Sequence, residues 1–273
     1  MTRSIRLIAD DYGLAPGVSS AILDLIERGR LTGTGCMTGF PEWEETAARI
    51  RPFRRRAAVG LHLTLTDQVA ATGWSSLAPE GTLPGLASLA LPVRRGRIDE
   101  RDVHAELDAQ YDRFVETLAG PPDYIDGHQH VHFLPVVRNW LLARFGASAD
   151  KPALRGAPGL PGMDAAAAKI AAVAAMAAGF NGSMRRAGFR VMAPLSGIYD
   201  WRQPEKFGST LRAAIKTLPE QGVFMCHPGH VDDILRARDP MQAAREVEYA
   251  VLSSQDFGDI LDKAGARVMD GSA

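Results

Sequence analysis

The chain has 273 residues, 46% of them hydrophobic and 23% charged, and a formal net charge of −1. That balance offers no large positive field for a nucleic acid or an anionic membrane surface. Two cysteines, Cys36 and Cys226, are too few for a disulfide framework. The length is common for one α/β barrel, so a single domain over 1–273 is the expectation.

Met1-Thr2-Arg3-Ser4-Ile5-Arg6 reads as entering a strand directly, so no signal peptide is expected. No apolar run approaches the ~20 residues of a membrane helix, so a cytoplasmic protein without membrane insertion is expected. Ile5–Ala9 reads as a buried parallel strand and Ala15–Arg30 as a helix with Ala21, Ile22, Leu25 and Ile26 on one face. Pro16 suits the first turn of that helix and Gly29 its end. A strand is expected over Gly33–Thr38, a helix over Trp43–Ile50 and a strand over Ala57–Thr64. Asp99–Leu118 has Val103, Leu107, Tyr111, Phe114 and Leu118 at helical spacing, and His104 lies on this charged, exposed helix. There follow a strand over Asp123–His128, a helix from about Pro135 to Phe145, a short strand over Ala153–Arg155 and a helix over Glu205–Leu218. A strand over Gly222–His227, a helix over Met241–Ser253 and a short strand over Arg267–Met269 complete the series. Two stretches interrupt it, around 67–96 and 156–186, and loops of that length are usually lids or insertions. The basic runs Arg51, Arg54, Arg55, Arg56 and Arg94, Arg95, Arg97 read as solvated loops.

Repeated strand–helix units imply a parallel sheet. Asp10/Asp11, His62, His128, Arg155 and His227 each end an expected strand. In parallel α/β proteins the carboxyl ends of the strands meet at one rim, where active sites form, so a barrel-like fold with one polar rim is favoured.

Six of the seven histidines lie in three short segments, at 62, at 128, 130 and 132, and at 227 and 230. Imidazoles with carboxylates are the ligands of a divalent transition metal. On an extended backbone Asp10 and Asp11 diverge. One of them could cap the next helix, but a carboxylate pair closing an apolar strand is costly unless paired. One carboxylate as ligand and the other as general base is the functional reading. His62 by itself resembles a hydrogen-bonded core histidine, and the other strand ends turn the reading towards a ligand. His128, His130 and His132 share one face if extended, and His128 and His132 are neighbours if helical. His128, nearest the strand end, is the first choice of ligand, with His132 as the alternative. Asp126 is placed to orient a ligand imidazole from behind. His227, before Pro228-Gly229, suits a positioned proton donor. Arg155 is expected to steady a carboxylate or a developing oxyanion, or to cap a loop. No GxGxxG, P-loop or Gly-x-Ser-x-Gly pattern competes.

The segments Ala9-Asp10-Asp11-Tyr12-Gly13-Leu14, Gly60-Leu61-His62-Leu63-Thr64, Asp126-Gly127-His128-Gln129-His130-Val131-His132 and Met225-Cys226-His227-Pro228-Gly229 resemble those of the YdjC/ChbG-like carbohydrate deacetylases, which include hopanoid-associated, HpnK-related members. The resemblance runs from near residue 5 to near residue 230. It implies a TIM-barrel-like (β/α) barrel, distorted or incomplete, of the glycoside hydrolase/deacetylase type, and removal of an acetyl group from an N-acetylated sugar or a short chitooligosaccharide. It implies one divalent metal ion held by Asp11, His62 and His128, with Asp10 as base, His227 as acid and Arg155 beside the catalytic carboxylate. Zinc suits an Asp-His-His set, and magnesium, manganese and cobalt remain open. A homodimer is expected from the family alone. The family usually has Phe after the Asp pair, where this chain has Tyr12. The competing readings are a metal-dependent sugar isomerase or phosphoesterase on the same barrel and a non-catalytic sugar-binding protein.

Overall fold

A computed structural model describes residues 2–89, 98–159 and 166–271. Parts of both expected insertions, 90–97 with the run Arg94, Arg95 and Arg97, and 160–165, lie outside the described residues.

In chain order the elements are β1 (Arg3–Tyr12), α1 (Pro16–Glu27), β2 (Gly33–Cys36), α2 (Trp43–Ile50), β3 (Ala58–Leu63) and α3 (Glu100–Leu118). Then come β4 (Tyr124–Gly127), α4 (Pro135–Phe145), β5 (Ala153–Arg155), α5 (Ala167–Met176), α6 (Phe180–Arg186), β6 (Val191–Met192) and β7 (Leu195–Ser196). The last group is α7 (Phe207–Thr217), β8 (Val223–Cys226), α8 (Asp233–Arg238), α9 (Ala243–Ser253), α10 (Asp256–Lys263) and β9 (Ala266–Val268). The strands run in the order β6-β5-β4-β3-β2-β1-β8-β7, with parallel pairing throughout. A parallel bridge from Pro158, just past β5, to Leu195 of β7 brings the two ends together, so the sheet is a nearly closed barrel. β9 pairs with the first residues of β1, outside that circuit. The TIM-barrel-like expectation therefore holds in a distorted form. Its closing strands β6 and β7 are only two residues each, too short to carry the hydrophobic alternation that marks a strand in sequence.

Local chemistry explains the boundaries. Pro16 opens α1, and the chain leaves it through Gly29 at φ +66°, where Arg30 N–H reaches back to Leu25 O at 2.8 Å. Asp99 caps α3 by accepting from Arg101 N–H, and the helix buries Val103, Leu107, Phe114 and Leu118. The helix expected to be exposed is partly covered by α4, so His104 is half-buried with its Nε2 3.1 Å from Val136 O. Both cysteines are buried. Arg51 and Arg54 are not merely solvated either, since they bind backbone carbonyls of Thr117, Leu118, Gly120 and Pro121.

Two buried polar residues of α3 shape the rim. Gln110 accepts from Thr64 N–H and donates to Thr64 O, and Glu106 accepts from the N–H groups of Ala71 and Thr72. Gln110 pins the chain where it leaves β3, two residues past His62, and Glu106 holds the loop further on. No described helix is long and apolar enough to cross a membrane.

Candidate active site

Parallel register assembles the site. His62 on β3 lies opposite Asp126 on β4, and Arg155 ends the next strand, β5. The side chains of His62 and Asp126 therefore meet, with Asp126 Oδ1 2.7 Å from His62 Nδ1. Asp126 Oδ2 lies 2.5 Å from Arg155 Nη2. Room for this buried pair comes from a missing side chain: a Cβ on Gly35 of β2 would come within 3.1 Å of both His62 Nδ1 and Asp126 Oδ1.

The Asp pair is not arranged as an extended strand would have it. Asp11 sits at φ +69°, and the register of β1 against β2 slips between Ala9 and Tyr12. This irregularity defeats the strand alternation, so both carboxylates are buried at one rim. Neither caps α1, whose N-cap is Ala15 without a side-chain bond. Asp10 takes a two-pronged contact from Arg155, with Nη1 2.6 Å from Oδ2 and Nη2 2.5 Å from Oδ1. Asp11 Oδ1 lies 3.3 Å from His62 Nε2 and 3.0 Å from His128 Nδ1. His227 directly follows β8, where Cys226 is level with Ala9, and its Nε2 is 3.8 Å from Asp10 Oδ2.

The expected residues thus fall into two adjoining groups. Asp11, His62 and His128 form one, their donor atoms all within 4.8 Å of one another. Asp10 and His227 form the other, steadied by Arg155. Arg155 is fully buried, with its terminal nitrogens on Asp10 and Asp126, so of its three expected uses the geometry is that of a carboxylate support. His132 does not join either group. Left-handed backbone at Gln129 and His130 kinks the 3-10 run His128–Phe133, and His132 lies in the core against Phe133 and Phe180. His132, expected as an alternative ligand, is therefore not brought together with Asp11 and His62, whereas His128 is. His230 packs against Tyr249, away from both groups.

The donor set fits a divalent ion. Ligands about 2.1 Å from one centre stand about 3.0–3.4 Å apart in octahedral or tetrahedral arrangements, which matches the two Asp11–imidazole separations. Asp126 at Nδ1 leaves Nε2 of His62 for the ion, the usual arrangement behind a ligand histidine. Electrostatics agree. Burial opposes a charge on His62, yet the carboxylates of Asp126 and Asp10 override it and push its pKa up to about 10. The surrounding carboxylates thus favour positive charge at this ring. A second set, Asp10, His62 and Asp126, is also compact. Its two carboxylates are already paired with Arg155, so the Asp11 set is the better ion site.

The remaining shifts have clear causes. Burial favours a neutral Asp10, but the Arg155 guanidinium and then His62 hold its carboxyl down at about 2. Burial pushes His227 down to about 4 despite Asp10 and Asp11. Two buried charged neighbours of the site escaped the sequence reading. Arg245 on α9 is buried with Nη2 2.6 Å from Asp11 Oδ2, and it also contacts Asp239. Glu248, on the same helix, accepts from His227 N–H at 2.5 Å and from the Tyr199 hydroxyl at 2.7 Å. Their one signal in sequence is a charged pair three apart on the buried face of a helix that also buries Ala244 and Leu252.

The YdjC-like protein family model matches residues 4–263. A carbohydrate deacetylase of Halalkalibacterium halodurans is 25% identical over 253 residues, covering 90% of this chain and 93% of that protein. A chitooligosaccharide deacetylase of Proteus mirabilis is 36% identical over 132 residues, covering 48% of this chain and 51% of that protein. A carbohydrate deacetylase of Homo sapiens is 35% identical over 140 residues, 49% of this chain and 43% of that protein. In these two matches the aligned part spans about half of the relative. A solved structure from Enterococcus faecalis V583, a candidate cellobiose-phosphate cleavage protein, shares the fold with a TM-score of 0.71 at 21% identity, covering 99% of this chain and 98% of that one.

Proposed function

The chain belongs to the YdjC-like protein family, and on that premise we propose that it is a metal-dependent carbohydrate N-deacetylase, removing the acetyl group from an N-acetylated sugar or short oligosaccharide. One observation carries the reading: a buried Asp11-His62-His128 donor set adjoins a carboxylate–histidine pair, Asp10 and His227, on the same rim. The relatives described as carbohydrate and chitooligosaccharide deacetylases support the substrate class.

Asp11, His62 and His128 would hold the ion, with zinc the best match to two imidazoles and one carboxylate, and magnesium, manganese or cobalt the other candidates. When bound, the ion polarises the acetyl carbonyl and acidifies the attacking water, in zinc sites towards a pKa of about 7. Asp10, ionised and fixed by Arg155, accepts the water proton at Oδ2. His227, neutral in the free protein because of burial, stands 3.8 Å from that oxygen; its Nε2 takes up the proton that Asp10 has accepted and delivers it to the departing amine, so that Asp10 is again ionised and His227 again neutral. Asp126 keeps the His62 ring oriented, and Arg155 keeps Asp10 and Asp126 from repelling one another.

The test is acetate release from N-acetylated mono- and disaccharides with zinc, magnesium, manganese or cobalt added in turn. Phosphate release from sugar phosphates runs beside it. Metal-dependent acetate release is expected, and Asp10→Asn should abolish it while leaving the metal bound. Near-normal deacetylation by Asp10→Asn, or phosphate release without acetate release, would overturn the assignment.

A further inference from the structure

Helix α9 sends two ionisable side chains into the barrel rim from one face, three residues apart. Burying such groups is costly unless each is paired, and both are. Arg245 is 1% exposed and Glu248 is 0% exposed. Each contact falls on an atom that settles the geometry of the chemistry. Arg245 holds Oδ2 of Asp11, which leaves Oδ1 as the oxygen facing His62 and His128. Glu248 holds the backbone N–H of His227, and the α9 backbone reaches the same turn again, Gly229 N–H donating to Arg245 O at 3.1 Å. Among the described residues the His227 ring has no hydrogen-bond partner at Nδ1. Its direction is set by the turn that carries it, and Glu248 anchors that turn, with Tyr199 bracing the other carboxylate oxygen.

We propose that α9 is the positioning element of the site: Arg245 fixes the Asp11 oxygen offered to the ion, and Glu248 fixes the turn that aims His227. The inference rests on Asp11 being a ligand and His227 the acid. The two arms then act on different steps. Arg245 governs ion affinity, and Glu248 governs turnover at full ion occupancy.

The experiment compares the parent, Arg245→Gln, Glu248→Gln and Glu248→Ala. It measures zinc affinity by titration, and kcat and KM for an N-acetylated disaccharide at saturating zinc. Arg245→Gln should weaken zinc about 10–100-fold, as changes behind a metal ligand do. Glu248→Ala should keep the zinc affinity and KM of the parent and lose kcat by about 100-fold, the scale of a small misplacement. Glu248→Gln should restore most of that kcat, since its amide oxygen still accepts from His227 N–H. Parent-like zinc binding in Arg245→Gln, parent-like kcat in Glu248→Ala, or zinc affinity and kcat falling together in both variants overturns the proposal. If either buried variant fails to fold, Asp239→Asn and Tyr199→Phe loosen the same two arms from their outer sides and should show the same split in milder form. A parent that binds no zinc and releases no acetate removes the deacetylase reading itself, whereas a competent parent with indifferent variants removes this inference alone.

Discussion

Asp126 is the residue whose replacement tests the site architecture most directly. It is fully buried, and each carboxylate oxygen has one charged or polar neighbour, His62 Nδ1 at 2.7 Å and Arg155 Nη2 at 2.5 Å. Asp126→Asn preserves volume but replaces one acceptor by an NH2 donor. If the amide oxygen accepts from His62, the NH2 group faces the Arg155 guanidinium, donor against donor. If it faces Arg155, His62 loses the acceptor that leaves Nε2 available. Breaking a buried ion pair costs about 3–5 kcal/mol. Here Asp10 still holds Arg155 through two contacts, so about 2–3 kcal/mol is the expected loss, at the low end for a disrupted buried network. Loss of the group behind a ligand histidine lowers metal affinity about 10–100-fold. Urea unfolding of the metal-free protein measures the first quantity and calorimetric zinc titration the second. A variant that unfolds at the parent midpoint and binds zinc within about threefold of the parent would refute the role given to Asp126.

Three further outcomes follow from the same contacts. Gly60→Ala places a Cβ about 2.4 Å from the buried Tyr124 ring, so the protein should lose about 1–3 kcal/mol in denaturant unfolding, and an unchanged midpoint would contradict the packing beneath His62. Tyr12→Phe removes the hydroxyl that donates to Thr46 O at 2.8 Å; a loss of about 1 kcal/mol with unaltered turnover is expected, and lost turnover would give Tyr12 a part in the chemistry. In the metal-free protein His62, raised from 6.5 to about 10 by Asp126 and Asp10 against the effect of burial, adds stability that is present below pH 6.5 and lost as pH rises through about 10. Metal must displace that proton, so zinc affinity should climb about tenfold per pH unit below 10, with about one proton released in titrations run in two buffers. PH-independent zinc binding would remove the protonated His62 from the metal-free state.

The candidate site positions were legible because they follow apolar strand runs. Strand periodicity and turn residues near Asp10, His62, His128, Arg155 and His227 are local signals, and parallel strands carry their carboxyl ends to one rim. The same locality marked Pro16 and Gly29 as the ends of α1. What the sequence left open depended on contacts between distant segments. Asp10 and Asp11 share a rim only because Asp11 adopts φ +69° where β1 slips against β2. His128 and His132 part company only because two consecutive residues turn left-handed, which no periodic pattern announces. Arg245 and Glu248 read as ordinary helix charges until the tertiary fold lays α9 against the rim. Their partners lie 234 and 21 residues away in the chain. The sequence by itself determined which residues could perform the chemistry. Tertiary structure decided which of them meet and which oxygen or nitrogen each presents, because burial makes every polar atom find a partner and the available partners are set by packing rather than by neighbours in the chain.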